Sequence, residues 1–182
     1  MTAKPYHHGD LRRALLAAAV SVIEESGPAT LSLRDLARRA GVSHAAPAHH
    51  FGDKAGLLTA LATEGYQLLD AELRAAGKDL LEVGVAYVRF AVDHRAHFEV
   101  MFRPELYRQD DRELATARRR AGEALRARLG ALPTPPGDRA DLAAWSIAHG
   151  FATLWLDGAL PRELGDDPAA AARSVIRLLF QG

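Results

Sequence analysis

Cysteine is absent from the 182 residues. That excludes disulfides, thiolate metal sites and a cysteine nucleophile, and it fits a reducing compartment. No apolar run approaches the roughly 18 residues a membrane-spanning helix needs. The first twenty residues show no charged-then-apolar signal pattern. The expectation is a soluble, cytoplasmic chain with no membrane contact. Net charge is zero, 23 Lys and Arg against 23 Asp and Glu, so bulk charge points to no nucleic-acid partner. Catalytic frames are missing as well: there is no Gly-rich phosphate loop, no nucleophile elbow and no spaced acid pair. Ser43 and His44 are neighbours in sequence, which does not make a triad. No enzyme activity and no cofactor are expected.

Strand signals are nearly absent too. Alanine, leucine and arginine dominate, and apolar residues recur at three and four, so the fold class is all-α. The first helix starts from Asp10 as N-cap, with Leu11, Leu15, Leu16, Ala19, Val20 and Ile23 on one stripe, and Gly27-Pro28 stops it. In "TLSLRDLARRAGVS", Ser32 and Asp35 have capping-box spacing. Leu33, Leu36, Ala37 and Ala40 face inward, and Arg34, Arg38 and Arg39 face out. Gly41-Val42-Ser43 is a tight turn: a left-handed C-cap, an apolar plug and a cap for the next short helix, His44 to about His50. Longer helices are expected at about 54–76, 79–93, 95–102, 109–130, 139–159 and 168–180, with a proline-rich linker at 132–138.

Charge is slightly uneven along the chain. Residues 1–54 carry seven Lys and Arg against five Asp and Glu, and the remainder carries 16 against 18. Five of the eight histidines also fall in those first 54 residues. Two short helices joined by a Gly-containing turn, after a longer supporting helix, form the helix-turn-helix pattern. Such a unit presents the N-terminal end of its second helix to a major groove about 12 Å wide. Leu33, Leu36, Val42 and Phe51 would brace it against the first helix. The plain structural alternative is two short helices in a bundle.

The stretch "LSLRDLARRAGVSHAAPAHHFGDKAGLLTAL" resembles the N-terminal domain of TetR-like transcriptional regulators, over about fifty residues from Leu11 to Leu61. "AWSIAHGFATLWLDGAL", with Trp145, His149 and Gly150, is similar to the effector domain of the subgroup named for Trp, His and Gly, as is "HFEVMFRPEL". The resemblance implies a DNA-binding domain at 1–53 and a helical effector-binding and dimerisation domain at 54–182. It implies a homodimer, paired through helices about 139–159 and 168–180, that reads a palindromic operator on double-stranded DNA and answers to a small-molecule effector, most simply as a repressor. Ser32, Arg34 and Lys54 would meet phosphates, and Lys4 and Tyr6 would reach backbone or minor groove. Ser43, His44, Ala45 and Ala46 would sit at the reading end. Pro47 and Ala48 depart from the family pattern. Ala48 stands where a tyrosine usually contacts the backbone, which shifts the expected contact to His49 and His50.

The histidines raise a rival reading, a metal site. His44, His49 and His50 are poorly spaced for zinc, because adjacent helical side chains point about 100° apart. His94 and His97, with His149 joining in space, are better placed. No metal is assigned; the alternative is a helical ligand- or metal-binding protein without DNA binding. Phe98, Met101, Phe102, Arg118, Trp145 and His149 are the candidate ligand contacts in the body. Trp145 and His149 lie one turn apart on a face expected to be buried, where an imidazole needs a partner.

Overall fold

The computed structural model describes residues 8–129 and 139–178. Lys4, Tyr6 and the 132–138 linker lie outside them, as does the side chain of Asp10. Among the described residues every regular element is helical. The nine α-helices are α1 (His8–Ser26), α2 (Leu33–Arg39), α3 (Ala45–Phe51), α4 (Lys54–Ala75), α5 (Leu80–Asp93), α6 (Arg95–Met101), α7 (Arg112–Leu129), α8 (Ala140–Leu156) and α9 (Pro168–Arg177). Short 3-10 turns stand at Pro28–Thr30, Pro104–Leu106 and Arg162–Leu164.

The chain forms two compact units. The first comprises residues 1–64 and 96–115, the second 65–95 and 116–182. Helix α4 therefore contributes residues to both.

In the first unit the core is the apolar stripe of α1 (Leu15, Leu16, Ala19, Val22, Ile23) with Leu36 and Ala37 of α2, Phe51 of α3 and Leu57, Leu58 and Leu61 of α4. Leu15, Leu36, Leu57 and Leu61 are wholly inaccessible to water, and each full burial of a leucine is worth about 1.5–3 kcal/mol. The guanidinium of Arg12 lies 5.5 Å from the centre of the Phe51 ring, a cation–π contact that covers the outer side of this aromatic anchor. Helix α1 stops as expected at Gly27, whose φ of 76° only glycine adopts readily, followed by Pro28. It begins at His8, so Asp10 is not its cap.

In the second unit α5 packs against α8 and α9. Val83, Tyr87, Val88, Phe90 and Ala91 of α5 are buried, together with Ala148, Phe151 and Ala152 of α8 and Ala171, Ala172 and Ile176 of α9. Gly84 permits the approach of α9: a Cβ there would meet Ile176 Cδ1 at 3.1 Å. Arg173 of α9 grips the carboxylate of Glu82 with two bonds of 2.8 Å. The bidentate pair fixes the register of α9 on α5 and holds the Glu82 carboxyl below its usual range. Asp167 starts α9 by accepting from the Ala169 and Ala170 N–H groups, which satisfies two donors a helix start leaves open.

Candidate functional site

The turn between α2 and α3 is built by its backbone. Val42 N–H donates to Ala37 O at 3.0 Å and Gly41 N–H to Arg38 O at 3.2 Å. With Gly41 at φ 65° this is a Schellman closure. Val42 is half-buried beneath it. The two hydroxyls expected to cap helices do not. Ser32 holds the N-cap position of α2 with no side-chain bond. Asp35, the intended partner in the capping box, turns to Arg38 and Arg39 instead. His44, not Ser43, holds the N-cap position of α3, again with no side-chain bond; Ser43 serves through its carbonyl, which accepts from Ala46 N–H at 3.0 Å. Two guanidinium groups, each a full positive charge, offer Asp35 more than the single backbone N–H of a capping box would.

Helix α3 is two-faced. Pro47 and Phe51 are buried and Ala46 and His50 half-buried, while Ala45, Ala48 and His49 are exposed and continue from exposed Ser43 and His44. Pro47 lies in the first turn, where its missing N–H costs no helix bond. The His49 and His50 rings meet edge to face, 5.6 Å apart, so they present different faces as their spacing predicts.

The cations of this surface are unequal. Arg38 is paired with Asp35, and Arg39 with both Glu25 (2.9 Å) and Asp35 (3.4 Å). Arg39 pulls the Glu25 carboxyl below its usual range, mainly through a side-chain hydrogen bond. Ser32 and Arg34 are exposed at the start of α2. Lys54 opens α4 half-buried, with Nζ donating to Ala29 O at 2.8 Å. That bond holds the ammonium beside the α2 entry.

The body candidates divide between the two units. Phe98 and Phe102 of the first unit have ring centres 5.0 Å apart, and Met101 is buried. His97, also buried, places Nε2 3.1 Å from Glu64 Oε2. Arg118, Trp145 and His149 belong to the second unit, with His94. Arg118 stacks over the Tyr66 ring at 5.4 Å. His94 lies 5.3 Å from the Phe90 ring. Among the described residues no three His, Cys, Asp or Glu side chains gather as metal ligands.

Trp145 and His149 do come together, around a residue that sequence reasoning missed. Tyr87 Oη accepts from Trp145 Nε1 at 3.1 Å and stands 3.0 Å from His149 Nδ1. Tyr87 is buried, and desolvation raises its hydroxyl pKa; burial lowers that of His149, favouring neutral imidazole. The hydroxyl accepts from the indole, and the imidazole tautomer sets whether it donates to Nδ1 or accepts from it. Trp145 itself is not buried as expected: it is 39% exposed, on the same helix as exposed Leu142 and Leu154. The residues α8 buries are small or lie further along (Ala148, Phe151, Ala152), so its Trp145 edge stays open within one chain. The signal for Tyr87 was a hydroxyl on the buried stripe of an apolar helix, which must find a partner.

A two-faced short helix, joined by a glycine turn to a second and braced on a third, defines a helix-turn-helix DNA-binding protein. Comparison with known proteins agrees. Residues 15–61 match the family model for bacterial regulatory proteins of the tetR family, and residues 80–179 match that for the tetracyclin repressor-like C-terminal domain. No curated protein matches. Among solved structures, a protein of unknown function from Rhodococcus sp. RHA1 is 35% identical, with 99% of this chain and 98% of that one covered and a TM-score of 0.80. The TetR family transcriptional regulator PfmR from Thermus thermophilus is 24% identical over 92% of this chain and 97% of that one, TM-score 0.73. The TetR-like transcriptional regulator LfrR from Mycobacterium smegmatis, solved in complex with proflavine, is 24% identical over 94% and 96%, TM-score 0.68. The chain belongs to the TetR family and is a DNA-binding transcriptional regulator. Among the described residues no helix is long and apolar enough to cross a membrane.

Proposed function

We propose that the protein is a cytoplasmic, dimeric repressor that leaves a palindromic operator when a small molecule binds. The observation that carries this reading is the exposed face of α3, His44, Ala45, Ala48 and His49, held rigidly over a buried Pro47 and Phe51. His44 and its neighbours Ser43, Ala45 and Ala46 read base edges and thymine methyls, and His49 and His50 supply contact where Ala48 cannot. Ser32, Arg34 and Lys54 meet phosphates, as does Lys4 from outside the described residues, giving salt-sensitive affinity. With so few long polar side chains on α3, the shape of the DNA contributes to recognition. The functional division falls at 1–53 and 54–182.

Two copies pair through α8 and α9. In support, Leu142, Leu154 and Leu178 are 50%, 46% and 67% exposed, large apolar side chains that a soluble chain covers by association. Half-sites then lie about one helical turn apart or slightly more. The effector is apolar or amphipathic. Trp145, His149 and Arg118, all of the second unit, contact it. The proflavine held by the M. smegmatis neighbour has this aromatic character. Binding alters operator affinity through α4, which contributes residues to both units, with a coupling of roughly 1–3 kcal/mol.

The test is a mobility-shift assay on palindromic duplexes selected from random DNA, across a salt series. Binding that falls steeply with salt and is relieved by a small molecule is expected. A protein that retains no duplex at low salt, with or without ligands, would not be this regulator.

A further inference from the structure

The corner between α3 and α4 is held by three devices. Gly52 closes α3 at φ 76°, its N–H donating to Ala48 O at 2.8 Å. Gly56, in the first turn of α4, passes so close to the end of α3 that a Cβ would stand 1.9 Å from Phe51 O. Between them Asp53 caps α4: its Oδ1 accepts from Gly56 N–H at 2.8 Å. That bond, with Arg108 nearby, holds the carboxyl below its usual range. The other oxygen, Oδ2, accepts from the Arg108 guanidinium at 3.0 Å.

Arg108 comes from far along the chain. It belongs to residues 96–115, the segment that joins residues 1–64 to complete the first unit. Its backbone is seated separately, with N–H donating to Thr59 Oγ1 at 3.0 Å, and the neighbouring Tyr107 Oη donates to Met101 O at 2.9 Å. The guanidinium spans the corner: Cβ atoms built at Gly52 and Gly56 would lie 3.8 and 3.4 Å from its two terminal nitrogens.

We propose that Arg108 is a positioning residue for the recognition helix, tying residues 96–115 to the α3–α4 corner through Asp53. It acts through Asp53, without touching DNA. The pair is half exposed or more, 51% for Arg108 and 61% for Asp53, so its contribution to overall stability is small. Its value is directional. Asp53 is already fixed by the Gly56 N–H, and a guanidinium anchored at its own backbone by Thr59 therefore sets where the end of α3 sits against 96–115. Recognition depends on that placement far more than non-specific phosphate contact does. The proposal rests on α3 being the reading helix.

The test uses the full-length protein and the duplex that the wild type selects from random DNA, beside a scrambled duplex of equal length. Arg108→Ala and Asp53→Asn are compared with their double variant; Asn retains an oxygen for the Gly56 N–H while losing the charge. Each single change is expected to weaken the selected duplex about threefold, the size of an exposed ion pair. The double variant should be no worse than either single one, with scrambled-duplex affinity and salt slope unchanged. Wild-type affinity in Arg108→Ala overturns the proposal, as does strict additivity in the double variant. A loss shared equally by both duplexes, with the salt slope flattened by about one charge, makes Arg108 a phosphate contact and overturns it as well. If the wild type selects no duplex, the reading helix itself is refuted and this role with it; failure of the positioning role alone appears only in the variants.

Discussion

Replacing Tyr87 with Phe removes one oxygen and leaves the ring, so the packing of α5 is kept and no cavity opens. The hydroxyl meets Trp145 Nε1 at 3.1 Å and His149 Nδ1 at 3.0 Å. A net hydrogen bond is worth about 0.5–1.5 kcal/mol, and a polar group left behind in a buried place costs more than one that water can reach. Trp145 is 39% exposed, so its N–H can turn to water and loses little. His149 is half-buried and loses more. The two together come to about 1–2 kcal/mol, or roughly 3–6 °C in Tm for a chain of this length. Urea unfolding followed by circular dichroism, at one protein concentration because the proposed pairing would add stability, measures it. Trp145→Phe removes only the outer bond and should cost less. A Tyr87→Phe variant within about 0.5 kcal/mol of wild type, the ordinary range of surface changes, would mean the hydroxyl is not what joins α5 to α8.

Other expectations follow from the same geometry. Burial holds the His149 pKa below 6.5 in the folded state, so folding binds fewer protons than unfolding there. Its contribution is full above about pH 6.5 and is lost as pH falls through the lower folded value; urea stability should drop more for wild type than for His149→Gln between about pH 7.5 and 5.5, and equal drops would contradict this. Gly56→Ala places a Cβ 1.9 Å from Phe51 O, so the corner must open; calorimetry should show a lowered Tm and mobility shift a lost operator complex, whereas a neutral variant would mean the corner yields easily. His44→Ala should weaken binding to the selected duplex more than to random DNA, and Lys54→Ala should weaken both alike and flatten the salt slope. Identical behaviour of the two would erase the division into reading and positioning residues. Leu154→Glu on α8 should shift sedimentation from dimer to monomer, and an unchanged dimer would place the interface elsewhere.

Much of the first unit was legible residue by residue. The α2–α3 turn was readable because Gly41 supplies a conformation few residues tolerate and Val42 gives the apolar contact that closes it. Pro47 is tolerated in the short α3 because it falls in the first turn. The caps were not readable. Serine and aspartate at the right spacing announce a capping box, yet Arg38 and Arg39 stand close enough to draw Asp35 away. The helices of the second unit followed from periodicity and from Gly and Pro, although α7 starts later and α8 ends earlier than expected; the exposure of Trp145 did not follow, because a helical stripe does not say how much of itself the fold will cover.

The sequence by itself determined the helical class, the helix-turn-helix and the family, since each depends on local spacing and on a few residues with restricted backbone chemistry. Only the tertiary structure decided which distant groups meet. Tyr87 finds Trp145 and His149 across 58 and 62 residues, and Arg108 finds Asp53 across 55. Periodicity fixes the face a side chain occupies; the partner on that face is set by how helices remote in sequence are brought to pack.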